Sequence, residues 1–521
     1  MEKHCGMQMQ SVVSSFIFTK IDDNLRVALF QRSKKVTTYQ GHLAPISGTI
    51  EAGELPIQAA WRELQEETSL AHPDIKLWRQ GQPFTFDDIA IRRRWTIYPF
   101  AFYLSPQKKE NIRLDWEHER WDWYSPSTIS DGKDSKGVPH LSESLRRVWF
   151  EMSLSPAASE ALSSGIHQLK TDHLSGSHEL TSIAIKNFRN VLIHLRDQDQ
   201  WWDLAREAAW HLWKNGRESM GTATLNAFIN IFADMESILP LSIKDQSSWD
   251  RLLAVVNYHL EHRRETPIRI KDAFIKYLQE MFLPIAEAES RESLTVLTLS
   301  SSSTIRDSII DAFSSLPLST LDLRILESRP LFEGASMASA VLSSFQSKHP
   351  TSSGRYLSLN IYTDASAALA ATNVDFVLLG ADQISSSGWV SNKTGSLPAV
   401  LSAKAASPGV KILVLSGLDK VAGSEEDLPE NLQEPEINES TEVTAPWVMS
   451  GVRGAKLLDE YIQGNSPETA HCMVSIKNIT FEWVPAQLID GYLCENGLYS
   501  EAEIQQRARD VKRGMSKYFG V

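Results

Sequence analysis

A chain of 521 residues is too long for one small domain, and its formal charge of −13 argues against a general nucleic-acid surface, so two or three globular domains are expected. The 42% hydrophobic and 22% charged content is ordinary for a globular protein with ample core. Three cysteines, Cys5, Cys472 and Cys494, are too few and too scattered for a disulfide framework or a zinc site. With no apolar run of membrane-spanning length and no signal peptide ahead of the first strand, a reducing, cytoplasmic setting away from membranes is expected.

In chain order, SVVSSFIF and RVALFQRS read as two strands joined by the polar turn IDDN. The segment GTIEAGELPIQAAWRELQEETSL, from Gly48 to Leu70, follows. Its part from Pro56 to Thr68 suits a helix: Pro56 stands where the first turn tolerates a missing N–H, and Ile57, Ala60, Trp61 and Leu64 recur at helical spacing. Glu63, Glu66 and Glu67 fall at i, i+3 and i+4, on a second face with the small Ala59 beside them. Three carboxylates on one face repel each other unless a cation neutralises them. Oxygen ligands without histidine or cysteine favour Mg2+ or Mn2+ over zinc. A cation held this way can bridge phosphate oxygens, polarise phosphorus and help ionise an attacking water.

The array Gly48, Glu54, Arg62-Glu63-Leu64-Gln65-Glu66-Glu67 and Leu70 resembles the Nudix box, the loop–helix–loop signature of hydrolases that cut nucleoside diphosphates linked to another moiety. The resemblance implies metal ligation by Glu63, Glu66 and Glu67, with Arg62 among the catalytic residues and Gly48, Glu54, Leu64 and Leu70 as structural members of the box. One position departs: Ser69 stands where the family has a glycine, at a helix exit that favours positive φ. The plain alternative is a solvated helix that happens to carry RExxEE.

Downstream, WTIYPFAFYL reads as a further strand. Arg92, Arg93 and Arg94 open it and either meet substrate phosphates or form a solvated edge. In LDWEHERWDWYSP the resemblance implies a late carboxylate acting as ligand or base, so Glu117 and Glu119 are candidates, each equally readable as an exposed rim charge.

After LSESLRRVWFEM, the small-residue run SLSPAASEALSSG reads as a linker. A helical stretch from about Gly176 to Glu287 follows, with apolar spacing in LTSIAIKNFRNVLIHL, WWDLAREAAWHLW and TLNAFINIFADM and its tryptophans in the core. Beyond Arg291, the runs LTVLTLS, LDLRILES, YLSLNIYTD, VDFVLLGAD and VKILVLSG alternate with helices, which implies a doubly wound parallel sheet. The acidic SEEDLPENLQEPEINESTEV lacks a hydrophobic period and reads as a mobile surface insertion.

In an open parallel sheet, ligands sit beyond the carboxyl ends of the strands. Ser300, Ser301, Ser302 and Ser303 end one strand, Glu327-Ser328-Arg329-Pro330 another, Thr363-Asp364 a third and Gly380-Ala381-Asp382 a fourth. Serine hydroxyls, helix-start N–H groups and Arg329 suit a phosphate, and Asn392 and Lys393 complete a pocket around Asp382. The same serines and aspartates also cap helices in any such fold.

ESRPLFEGASMASAVL, YTDASAALAATNVDFVLLGADQI, SSGWVSNKTGSLPAVLSAK and FEWVPAQLIDGYLCENGLYS look like the family of the initiation factor 2B alpha, beta and delta subunits, methylthioribose-1-phosphate isomerase and ribose-1,5-bisphosphate isomerase. SGSHELTSIAIKNF and GRESMGTATLNAF are similar to its helical amino-terminal part, so the resemblance spans about residues 173 to 521. It implies a homodimer through this part, and it leaves a translation-factor partner open. The isomerases of the family use an aspartate, which maps to Asp382, and a cysteine, which maps to Ser300 in Thr298-Leu299-Ser300. A hydroxyl is a far weaker acid and nucleophile than a thiol, so isomerase activity is doubtful.

The resulting expectation is a multidomain α/β chain. It comprises a Nudix α/β/α sandwich over 1–155, a linker at 156–172, a helical part over 173–290 and a Rossmann-like doubly wound parallel sheet over 291–521. The expected activity is magnesium-dependent hydrolysis of a diphosphate bond in a small phosphorylated substrate, with the second half binding a phosphometabolite and dimerising. The alternatives are a translation-factor-like binding or regulatory protein with an accessory Nudix module, and a bifunctional hydrolase and sugar-phosphate isomerase.

Overall fold

The computed structural model describes residues 7–131, 136–172, 175–218, 221–238, 245–423, 438–462 and 474–521. Cys5 and Cys472 lie outside the described residues, and Cys494 is buried. The chain divides into two compact units, residues 1–260 with 514–521, and residues 261–513.

The first unit begins with β1 (Gln8–Ile21), β2 (Asn24–Arg32), β3 (Leu43–Ala44), α1 (Pro56–Thr68), β4 (Ile75–Gln80), β5 (Phe84–Asp88), β6 (Arg93–Leu104), β7 (His118–Tyr124) and α2 (Leu141–Arg146). The IDDN turn closes the β1–β2 hairpin with Asp22 at φ 49° and Asp23 at φ 60°. Positive φ at both central residues is what a two-residue hairpin turn needs to match strand twist, and aspartate tolerates it. The sheet order is β3-β2-β1-β6-β4, with β5 also on β6 and β7 also on β2. β1 runs parallel to β6 from Gln8↔Arg93 to Phe18↔Tyr103. Alternation along β1 sends Val13 and Ile17 to a layer shared with Ala59, Ala60 and Leu64 of α1. Phe16 and Phe18 go to the opposite layer, with Leu141 and Leu145 of α2.

The helices α3 (Pro156–Thr171), α4 (Ser177–Ile193), α5 (Trp201–Lys214), α6 (Thr222–Ile238) and α7 (Gln246–His262) follow. Residues 156–172 were expected as a linker; instead α3 fills them. Ser155 caps it by accepting from the Ala158 N–H at 3.3 Å, Pro156 occupies the first turn, and Ala158, Leu162, Ile166 and Leu169 form a buried stripe. The small residues that resemble a linker are what permit close helix packing: a Cβ on Gly165 would stand 2.7 Å from Asn187 Cβ on α4. Trp201, Trp210, Trp213 and Trp249 are buried as expected. The carboxy-terminal residues complete this unit, with Phe519 ring-to-ring at 6.1 Å from Trp210 and 5.7 Å from Trp213.

The second unit holds α8 (Thr266–Tyr277), α9 (Leu283–Ala288), β8 (Ser293–Leu299), α10 (Ser303–Ser315), β9 (Thr320–Leu326), α11 (Glu333–Lys348), β10 (Tyr356–Tyr362), α12 (Ala367–Ala370) and β11 (Phe376–Leu379). It continues through β12 (Gln383–Ile384), β13 (Val390–Lys393), α13 (Ser396–Ala406), β14 (Lys411–Leu415), α14 (Ser440–Met449) and α15 (Ala455–Ile462). The last elements are β15 (Phe481–Val484), β16 (Gly491–Cys494), β17 (Gly497–Tyr499) and α16 (Glu501–Phe519). The main sheet runs β10-β9-β8-β11-β14-β16-β17, parallel except for β17, and the order reverses between β8 and β11. α8, α10 and α11 cover one face, and α12, α13 and α16 cover the other. A small antiparallel sheet, β12-β13-β15, was not foreseen, because its strands are only two to four residues long. Most of the acidic insertion falls outside the described residues. Its end forms α14, anchored by Asn478, which donates to the Glu439 carbonyl at 2.9 Å and to Glu442 at 2.8 Å.

Candidate active site

Helix α1 carries the acidic box, and Arg62 organises it. Its Nε and Nη2 donate to the two oxygens of Glu54, both at 2.9 Å, a bidentate pair. Its Nη1 donates to Glu63 at 2.7 Å and Glu66 at 3.4 Å, and Nη2 also reaches the Thr49 carbonyl at 3.1 Å. The guanidinium beside Glu54 holds that carboxyl below its ordinary range. Gly48 is a close-approach glycine: a Cβ there would stand 1.8 Å from Glu63 Oε1. Leu64 and Leu70 are buried in the α1 layer. Ser69 leaves the helix at φ 59°, ψ 15°, its N–H donating to the Gln65 carbonyl at 2.9 Å. The family's glycine position is thus left-handed here too, with serine in it.

Glu67 is 3% exposed, and neither of its carboxylate oxygens has a hydrogen-bond partner. Burial, then the charges of Glu63, Glu117 and Asp115, push its carboxyl well above the ordinary range. Glu117 shifts the same way, through burial and then Asp115, with Arg32 opposing. Buried His118 stands with Nδ1 3.3 Å from Glu67 Oε2, and burial lowers its pKa to about 4, so it is neutral at pH 7 and leaves the carboxyl uncompensated. Glu66 is more than half exposed. Glu119 is exposed on β7.

As placed, no group of three or more His, Cys, Asp or Glu among the described residues converges on a point fit for a metal ion, because Glu63 and Glu66 lie against Arg62. The donor set nevertheless fits a hard divalent cation, since carboxylate oxygens cluster around a buried carboxyl that lacks a partner.

Glu63, Glu117 and Gly48 line a cleft of about 510 Å³. Of the three arginines opening β6, Arg93 lines this cleft. Arg94 turns to the other face and pairs with Asp87 at 2.6 and 2.8 Å, and Arg92 sits in the preceding turn at φ 55°. Sequence reasoning missed Arg32, Tyr39, Phe84, Phe86, Trp95 and His140, which also line the cleft. The alternation of FTFDD against RRRWTI could have revealed the aromatic members; Arg32 and Tyr39 arrive through β2 and its following loop, which carry no such signal.

In the second unit, Ser300 ends β8 at φ 67°, its N–H donating to Ser328 Oγ at 2.7 Å and its hydroxyl to Glu333 at 3.2 Å. Lys393 pairs with the same Glu333 at 3.2 Å. Ser302 caps α10 by accepting from Ile305 N–H at 3.3 Å, and Ser301 is exposed. Arg329 is exposed, over the Phe332 ring at 5.2 Å. Asn392 is buried and donates to Ser396 Oγ at 2.9 Å, while Asp382 is held by its backbone N–H to the Ser391 carbonyl at 2.9 Å. The N–H groups that start α13 are taken by a carboxylate: Glu482 accepts from Gly395 N–H at 2.6 Å and Leu397 N–H at 3.0 Å. Arg329, Lys393 and Glu333 border a cavity of about 20 Å³, roughly the room for one water.

Residues 217–501 match the Initiation factor 2 subunit family, and residues 11–148 match the NUDIX domain. A methylthioribose-1-phosphate isomerase of Pseudomonas paraeruginosa is 27% identical over 190 residues, which cover 36% of this chain and 44% of that protein. The chain therefore spans under half the length of the curated relatives it matches. Among solved structures, the translation initiation factor eIF-2B of Pyrococcus horikoshii OT3 aligns with a TM-score of 0.43 and 17% identity, over 65% of this chain and 96% of its own. An Ap4A hydrolase binary complex from C. elegans aligns with a TM-score of 0.22 and 19% identity, over 26% of this chain and 93% of its own. The chain belongs to the Initiation factor 2 subunit family and carries a NUDIX domain ahead of that family's region.

Proposed function

We propose that this chain hydrolyses a diphosphate bond in a nucleoside-diphosphate-linked or related substrate, using Mg2+ or Mn2+ at the α1 carboxylates. The observation that carries the reading is the buried Glu67 carboxyl, raised by burial and then by the charges of Glu63, Glu117 and Asp115, beside a cleft that Glu63 and Glu117 line. Such repulsion is unfavourable unless a cation relieves it. Glu63, Glu66 and Glu67 are the residues that would hold the ion. When bound, it neutralises charge on the diphosphate and lowers the pKa of an attacking water.

Arg62 is a positioning residue that fixes Glu54, Glu63 and Glu66 on one guanidinium. Glu117 is the base: its raised carboxyl accepts the proton of the attacking water as the bridging P–O bond breaks. Arg93 and Arg32, which line the cleft, bind phosphate oxygens. Glu119, exposed on β7, is left out of this assignment.

The second unit serves as a phosphometabolite-binding and dimerising domain of a cytoplasmic homodimer. It does not isomerise sugar phosphates, since the Ser300 hydroxyl stands where the family's isomerases have a thiol. Asp382, Asn392, Lys393, Arg329 and Ser300 would form its binding site once Glu333 releases Lys393. The test is incubation of full-length protein and magnesium with nucleotide sugars, dinucleotides, coenzyme A and nucleoside triphosphates, with products identified by mass. One good substrate establishes the class; none cleaved overturns the hydrolase assignment.

A further inference from the structure

The apolar face of the β5–β6 hairpin lies outside the two layers that pack the sheet. Phe84 and Phe86 alternate on one face of β5, opposite Ile97 and Trp95 of β6, and all four line the cleft. The other face is polar, with Thr85 against Thr96 and Asp87 against Arg94. None of the four apolar residues belongs to the apolar clusters above and below the sheet. Trp95 is buried, while Phe84, Phe86 and Ile97 stay part-exposed in the cleft, and a part-exposed apolar patch of this kind marks a binding surface.

The rings are also arranged. Phe84 and Phe86 stack at 6.2 Å with an interplanar angle of 23°, and the His140 ring lies 4.1 Å from Phe86 at 38°. Arg147 backs Phe84 at 5.1 Å. His140 is exposed and held at φ 59°, a conformation that is strained for histidine and that places its ring on Phe86.

We propose that Phe84, Phe86 and His140 form a stacking platform for the nucleobase of the substrate, in the same cleft where Glu63 and Glu117 face its diphosphate. The proposal rests on the hydrolase reading for the orientation of the substrate, but its test reads binding. Full-length protein with magnesium is titrated calorimetrically with α,β-methylene adenosine diphosphate and with methylenediphosphonate, neither of which can be cleaved at the bridging position. The nucleotide analogue is expected to bind about tenfold or more tightly than the phosphonate. His140→Asn keeps a residue that tolerates positive φ but has no ring; Phe86→Leu keeps apolar volume without a stacking face. Each is expected to weaken the nucleotide analogue by roughly fivefold to a hundredfold and to change the phosphonate by about twofold at most.

Equal binding of both ligands, no binding of the nucleotide analogue, or wild-type affinity in both variants overturns the platform. Should Phe86→Leu fail to fold, the exposed His140→Asn decides. A platform confirmed in a protein that cleaves no diphosphate sinks the hydrolase reading and leaves the nucleotide site standing.

Discussion

The Asn215 side chain holds both backbone polar groups of Gln80: the Gln80 N–H donates to Asn215 Oδ1 at 2.6 Å, and Asn215 Nδ2 donates to the Gln80 carbonyl at 2.9 Å. Trp210 Nε1 adds a third bond to that carbonyl at 3.0 Å. At Gln80 the edge strand β4 of the Nudix sheet is thereby paired not with another strand but with the side chains of Trp210 on α5 and Asn215 just after it. Arg146 reinforces the seam by donating to both oxygens of Glu207 at 2.7 and 2.9 Å.

Removing the Asn215 side chain takes the acceptor from the Gln80 N–H and the donor from His211 Nδ1, while Trp210 keeps its bond to the Gln80 carbonyl. Asn215→Ala is expected to destabilise the first unit by about 2–3 kcal/mol. Urea unfolding of the full-length protein measures this, and a midpoint equal to wild type would show the seam to be incidental.

Glu67→Gln removes the repulsion and the metal-attracting charge together. In chelator the variant is expected to melt above wild type, by roughly 2–4 °C for each kcal/mol relieved. Its turnover is expected to fall by roughly a hundredfold or more. Magnesium should raise the wild-type melting temperature and leave that of the variant nearly unchanged; equal shifts in both proteins would place the ion elsewhere.

Ser69 adopts φ 59° at the helix exit. Ser69→Gly relieves the side-chain penalty of that conformation and is expected to stabilise the protein by roughly 0.5–1 kcal/mol. Thermal unfolding of both proteins checks the sign, and destabilisation would contradict the left-handed geometry.

His211 is wholly buried, and burial, followed by the charge of Arg79, lowers its pKa from 6.5 to about 3. Its Nδ1 lies 2.7 Å from Asn215 Nδ2, so the neutral ring accepts there. Because the folded-state pKa lies below the unfolded one, the unfolded chain binds more protons between those values. Stability is therefore complete above pH 6.5 and declines as pH falls toward 3, by up to about 1.4 kcal/mol per pH unit from this group. Comparing denaturation at pH 7 and pH 5, the loss should be smaller in His211→Gln than in wild type; identical losses would assign the acid sensitivity to other groups.

The helix of the box and its Nudix character were legible because their signal is local. Glu63, Glu66 and Glu67 share a helix face by spacing alone, and Arg62 and Glu54 meet across one loop and two turns. The strands of the second unit were legible for a similar reason, since continuous apolar runs such as LTVLTL and KILVL mark strands buried on both faces. The 156–172 segment misled because serine and alanine are read as loop residues, whereas their small size lets α3 pack closely on α4. Tertiary structure alone decided what faces the box. Glu117 and His118 reach Glu67 across a β-bulge in the β2–β7 pairing, and the aromatic cleft wall comes from the β5–β6 hairpin, met by His140 and Arg147. Glu333, from a distant stretch of chain, occupies the Lys393 cation that the sequence offered to the pocket around Asp382, and Glu482 occupies the start of α13. Side-chain periodicity reports on which face a residue occupies, but not on which remote carboxylate the fold brings to that face.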